Sequence, residues 1–144
     1  MIFDDNDKKA NLRLEQILEN IENKDKETLK SLFSKQALSE AENIEERIIY
    51  LFDIFQGTVE SWERTGFSSE TSSEYGKKSI MLLSWYTIIT NEDKYYFFVV
   101  DYIKDDFKSN NIGVYMLQVM KYIDSENQPS WQERLCAGIY KPEE

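Results

Sequence analysis

Residues 79–104 read SIMLLSWYTIIT, NEDK, YYFFVVDYIK: two runs of branched and aromatic residues on either side of a short polar turn. Such side chains suit a pleated surface, and two runs joined this tightly read as an antiparallel hairpin. A symmetric turn over Asn91–Lys94 predicts Thr90 opposite Tyr95, Tyr86 opposite Val99 and Ser84 opposite Asp101. One face then carries Leu82, Ser84, Tyr86, Ile88, Phe97, Val99 and Asp101, and the other Met81, Leu83, Trp85, Phe98, Val100 and Tyr102. Both faces are heavily apolar, so both need a cover.

The flanking sequence supplies covers. Toward the C-terminus, Asp105–Asn111 returns the chain into a last strand, Ile112–Ile123. The end, Ser130–Glu144, lies between Pro129 and Pro142 and docks through Trp131, Leu135, Ile139 and Tyr140. Toward the N-terminus, Val59–Phe67 reads as a first strand, and the Ser/Thr/Glu-rich Ser68–Tyr75 as a loop or a wide excursion at a sheet edge. Before that the period is helical. Leu14, Ile17, Leu18 and Ile21 form one stripe, with Asp5, Asn6 and Asp7 as caps. A second helix starts at Asp25 and presents Leu29, Leu32 and Phe33, after which Ala37 and Leu38 anchor a turn. A third starts at Asn43, with Glu46 completing a capping box, and stops at Gly57. The expected fold is one α+β domain over residues 1–144, with N-terminal helices packed on a curved antiparallel sheet. The helices cover one face; the other meets the C-terminal segment or a second copy, which makes a homodimer through the outer sheet face the simplest expectation.

Composition removes several classes of function. The net charge of -10, from 27 acidic against 17 basic residues, argues against nucleic acid and anionic membranes, which reward basic patches. The acids are spread along the chain and read first as a solubility device. There is no histidine and one cysteine, Cys136. That excludes an internal disulfide, His-based triads and His-ligated metals, so no metal or cofactor is expected. No run approaches a membrane span, and Met1-Ile-Phe-Asp-Asp has no basic segment leading into an apolar one. No export signal is therefore read from these residues. An acidic start is also what an exported chain would show after its leader is cut.

The order of elements, together with Asn23-Lys24-Asp25-Lys26-Glu27-Thr28-Leu29-Lys30-Ser31-Leu32-Phe33-Ser34-Lys35-Gln36-Ala37-Leu38, resembles the nuclear transport factor two-like superfamily, the cystatin-like cone. An acidic turn followed by Leu-x-x-Leu-Phe-Ser and a small-hydrophobic ending is similar to the second helix of many members. The chain also looks like an uncharacterised group from Gram-positive bacteria, many with the marks of surface lipoproteins. The lipidated cysteine of that group is not among these residues.

The resemblance implies a cone whose interior holds a ligand or performs acid–base chemistry on small apolar molecules. Pocket-lining candidates are Ser84, Tyr86, Phe97, Asp101, Tyr50 and Phe55. Core packing accounts for most of the aromatics equally well, and a solvated or ion-paired Asp101 is the plain alternative to a functional one. The leading expectation is a non-enzymatic binding module for a small apolar ligand or a protein segment. Two alternatives stand beside it: an isomerase or hydrolase with Asp101 as base and Tyr86 as electrophilic donor, and an acidic inhibitor of a basic protein.

Overall fold

The computed structural model describes residues 5–124 and 130–142. Four helices come first: α1 (Asp5–Glu22), α2 (Lys26–Ser31), α3 (Lys35–Glu40) and α4 (Ile44–Ile54). Five strands follow: β1 (Val59–Glu74), β2 (Lys77–Thr90), β3 (Lys94–Asp105), β4 (Gly113–Lys121) and the short β5 (Gly138–Ile139). They form one sheet in chain order, antiparallel from β1 to β4, with β5 added parallel to β4. The sheet is thus mixed and open, and β-bulges in all three antiparallel ladders bend it. This is the α+β architecture read from the sequence. Pro129 and the residues before Asp5 lie outside the described residues.

The inner face of the sheet takes the helices. Leu14, Ile17, Leu18 and Ile21 of α1 meet Ile88, Phe97, Val99 and Leu117, with Leu29, Phe33, Ile48, Leu51 and Phe55 filling between. Leu14, Leu29, Ile48 and Leu51 are fully buried. Each contributes about 1.5–3 kcal/mol relative to an exposed side chain. Tyr95 ties this core to the end of α4. Its ring stacks on Phe55 at 4.7 Å, while its hydroxyl donates to the Ile54 carbonyl at 3.0 Å and accepts from the Gln56 N–H at 2.7 Å.

The family-like stretch joins helices to sheet through the backbone. Asp25 caps α2 by accepting from the Thr28 N–H, and Ser34 caps α3 through the Ala37 N–H. Between these caps the chain runs beside β4: Ser34 N–H donates to the Val114 carbonyl at 2.9 Å and Val114 N–H to the Leu32 carbonyl at 3.0 Å. Gly113 makes the approach possible. It sits at φ 127°, where a Cβ would fall 2.9 Å from the Ser34 nitrogen.

Several expectations change in detail. Of the two readings of Ser68–Tyr75, the loop is replaced and the sheet-edge position kept: the edge strand β1 continues to Glu74 and turns through Tyr75 and Gly76, both at positive φ, into β2. These residues form a ribbon wet on both sides, so no apolar alternation marks them. The β2–β3 pairing is displaced by two residues, giving Ser84 opposite Val99, Tyr86 opposite Phe97 and Leu82 opposite Asp101. Thr90 causes the displacement by joining the turn, where its Oγ1 accepts from the Asp93 N–H at 2.9 Å and Thr90 N–H donates to the Asp93 carbonyl. A shift of two keeps every side chain on its expected face.

The ends of the helices also differ. Ala37 and Leu38 belong to the short helix α3. Asp5 and Asp7 lie inside the first turn of α1, where they still suit the helix dipole. Asn43 precedes α4 in a left-handed conformation and makes no side-chain cap bond, while Glu45 reaches sideways to Lys30 at 2.8 Å and Lys26 at 3.2 Å. α4 ends at Ile54 with Phe55 extended, so Gly57 turns the following loop rather than stopping the helix.

Candidate functional site

Alternation along β2 and β3 puts Ser84, Tyr86, Phe97 and Asp101 on the inner face, and all four are buried. Phe97 and Phe55 are core residues in edge-to-face contact at 5.8 Å. Tyr50 lies apart on α4, half-buried, with the Lys141 ammonium 5.3 Å from its ring. The six candidates therefore divide three ways: a polar trio, a packed aromatic pair, and one outlying tyrosine.

The polar trio sits under α1. Asp101 is 2% exposed, and its Oδ2 accepts from Arg13 Nε at 2.9 Å. Its Oδ1 is buried and has no hydrogen-bond partner among the described residues. Burial pushes this carboxyl above the ordinary range, while Arg13 pulls it back. Tyr86 donates to Asn11 Oδ1 at 3.3 Å. Burial raises its hydroxyl as well, with Ser84 acting in the opposite direction. Arg64 completes the cluster, bonded through Nη2 to Asp7 Oδ1 at 2.5 Å and lying over the Phe67 ring.

A hollow of about 270 Å³ opens beside Asp101, lined also by Lys9, Leu12, Arg13, Gln16 and Ile112. Neither Tyr86 nor Ser84 lines it. The face is shared, but the base and the proposed electrophilic donor do not meet in this hollow.

Larger hollows lie on the outer face, where the C-terminal segment crosses the sheet. Leu83, Phe98, Val100 and Met116 form a second core, covered by Trp131 and Cys136. Trp131 packs against Phe98 at 5.5 Å and Trp85 at 6.3 Å, and Trp85 in turn stacks on Phe98 at 4.8 Å. A hollow of about 470 Å³ is lined by Trp131 with Met81, Leu83, Tyr102, Tyr115 and Leu135. Another, of about 450 Å³, is lined by Trp85, Tyr96, Phe98, Gln118, Tyr122 and Arg134. Burial holds the Cys136 thiol above its usual range, which makes it a poor nucleophile.

Sequence reasoning assigned no role to Arg13, Gln118 or Arg134. Gln118 does carry a signal, as the single polar residue in the run Val114–Met120. Arg13 carries none, because its partner is 88 positions away. Among the described residues no group of three or more acidic or thiol side chains gathers to hold a metal ion, and no helix is long and apolar enough to cross a membrane.

The sequence matches no curated protein. Residues 16–122 match the family described as a domain of unknown function, DUF5104. That span covers most of the chain, including all of α2 to α4 and β1 to β4, and the protein belongs to this family.

Proposed function

We propose that the protein is a non-enzymatic binding module of the nuclear transport factor two-like, cystatin-like cone type, and that it holds a small apolar or amphipathic ligand beside the sheet. One observation carries the reading: the inner face is packed by the helices, with a hollow of about 270 Å³ beside Asp101, whereas the outer face keeps two larger hollows, one lined by Trp131 and the other by Trp85. Aromatic walls with a few polar groups are what small-molecule sites offer. A second copy of the chain laid on this face would compete for the same surface, so a homodimer and ligand binding are opposed states.

Anilinonaphthalene sulfonate tests the proposal. Its emission should rise saturably on the native protein, and Trp131→Ala should weaken that binding about tenfold. Absence of any native-state enhancement sinks the ligand reading. Sedimentation of the same samples reports whether the dye shifts a dimer to monomer.

The acid–base alternative retains one favourable observation, the unpartnered and buried Oδ1 of Asp101. Against it, Arg13 occupies the other oxygen. Turnover of small esters or enolisable ketones that disappears in Asp101→Asn would support this second reading.

A further inference from the structure

Of the two outer hollows, the one lined by Tyr102, Tyr115 and Trp131 has an excess of negative charge. Its charged lining is Glu40, from the end of α3, Glu70, from the β1 ribbon, and Lys108. All three are exposed, so two carboxylates stand against one ammonium. Among the described residues neither glutamate is ion-paired. Glu40 bonds only to neutral groups, accepting from Gln36 Nε2 at 2.8 Å and from the Tyr115 hydroxyl at 3.5 Å. The same field reaches the rings. Burial raises the Tyr102 hydroxyl above its ordinary range, and the charges of Asp105, Glu70 and Glu40 raise it further.

The rings add a negative surface of their own. Tyr102 and Tyr115 meet at 80° with centroids 6.4 Å apart. Rings at right angles hide at most one face between them, whereas a stack hides two. Both are half-buried, as is Trp131, and all three pack on the second core. Elsewhere a lysine or arginine takes up such faces, as at Phe52, Phe67 and Tyr140. Among the described residues none lies over Tyr102, Tyr115 or Trp131. An anion is therefore repelled here, and a neutral apolar molecule leaves the charges unused. A compact ammonium gives up strong hydration on entering. A quaternary ammonium has no N–H to satisfy and spreads its charge over methyl groups that pack on ring faces.

We propose that this hollow binds a small quaternary ammonium ion with an apolar tail. The methyl groups meet the rings of Tyr102, Tyr115 and Trp131, Glu40 and Glu70 balance the charge, and the tail lies on Leu83 and Val100. This rests on the outer face being the ligand surface.

Hexyltrimethylammonium is the test compound, with hexanol, hexyl sulfate and hexylphosphocholine as controls and calorimetry plus Trp emission as readouts. The cation should bind at least about tenfold more tightly than hexanol, and hexyl sulfate more weakly than either. Hexylphosphocholine keeps the ammonium but sets a phosphate against the two glutamates, so it should bind at least about fivefold more weakly than the cation. Glu70→Gln should weaken cation binding about threefold and Lys108→Gln should tighten it about threefold, both with hexanol binding unchanged. Tyr115→Leu keeps an apolar wall without the ring and should cut the preference over hexanol about fivefold; Tyr102→Leu serves if that variant does not fold.

Equal binding of the cation and hexanol, tighter binding of hexyl sulfate, or a preference unchanged by both Glu70→Gln and Tyr115→Leu overturns the inference. Tighter binding of hexylphosphocholine overturns it too, by assigning the hollow to a lipid headgroup. In those cases saturable binding of anilinonaphthalene sulfonate still supports the outer face as a ligand surface. If neither this dye nor any hexyl compound binds, the wider proposal fails as well.

Discussion

Arg13 Nε and Asp101 Oδ2 lie 2.9 Å apart, and this contact joins α1 to β3 beneath the helix layer. The Asp101 side chain is 3% exposed and the Arg13 side chain 23%. The pair is largely desolvated, and the attraction has to offset the cost of burying the carboxylate.

Removing the arginine should therefore hurt more than removing both groups. Arg13→Met is expected to cost about 3 kcal/mol at neutral pH, and Arg13→Met with Asp101→Leu to recover most of that. The pH dependence has a definite sign. Asp101 has a raised carboxyl, so its contribution is most favourable below the unfolded carboxylate value of about 3.9 and is lost as pH rises through the folded value. Without Arg13 the folded value moves up further, so from about pH 4 upward Arg13→Met should go on losing stability to a higher pH than the parent chain does. Urea unfolding across that range, with carbon NMR of the Asp101 carboxyl, checks both statements.

Asp105 should behave oppositely. Burial pushes its carboxyl up, but the Asn111 amide and the Lys108 and Phe107 N–H groups outweigh it, leaving the group below the ordinary range. Its contribution is present above the unfolded value and lost as pH falls through the folded one. Asp105→Ala is expected to cost about 2 kcal/mol near neutrality and much less near pH 3. The difference should appear in thermal unfolding curves recorded at the two pH values.

Tyr95→Phe keeps the stack on Phe55 and removes only the oxygen that serves Ile54 and Gln56. A loss of about 1–3 kcal/mol is expected, because a carbonyl and an N–H at the end of α4 lose their shared partner. Hydrogen exchange should speed up at Gln56 before it does in the middle of the sheet.

Two turns provide a matched pair of backbone tests. At Gly113 a Cβ would meet backbone atoms of Ser34 at 2.9 and 3.0 Å. Gly113→Ala should therefore cost more than about 3 kcal/mol and loosen the bond between Val114 and Leu32. At the β1–β2 tip, Tyr75 is 95% exposed with φ at 50°. Asparagine accepts that conformation more readily, so Tyr75→Asn should stabilise by about 0.5 kcal/mol. Denaturation midpoints for both variants decide the matter.

The parts of the fold legible in the sequence are those where burial is one-sided and periodic. The α1 stripe from Leu14 to Ile21 and the alternation in Ser79–Ile103 each fix a face, and the two-residue displacement caused by Thr90 left those faces intact. The Asp25 cap was legible because the bond it makes is local. Three features were not. The ribbon over Ser68–Glu74 buries little, so burial leaves no imprint on its composition. The left-handed Asn43 depends on backbone geometry that a capping pattern does not encode. Placing Ser84, Tyr86 and Asp101 on one face followed from alternation, but Arg13 over Asp101 and Arg134 beside Gln118 are meetings of distant segments, which periodicity does not reach.

β1 is the outermost strand, and on one side it has no neighbour among the described residues. A border sixteen residues long is a template on which another chain could add itself and begin an aggregate. Bulges near Glu60 and Thr65 break its straightness, and Glu60, Glu63, Glu70 and Glu74 place like charges along it. The acidic excess that reads as general solubility thus has a local use: it makes two such borders repel. Replacing these glutamates by uncharged residues would remove the guard and leave the long border of β1 open to pairing with a second copy.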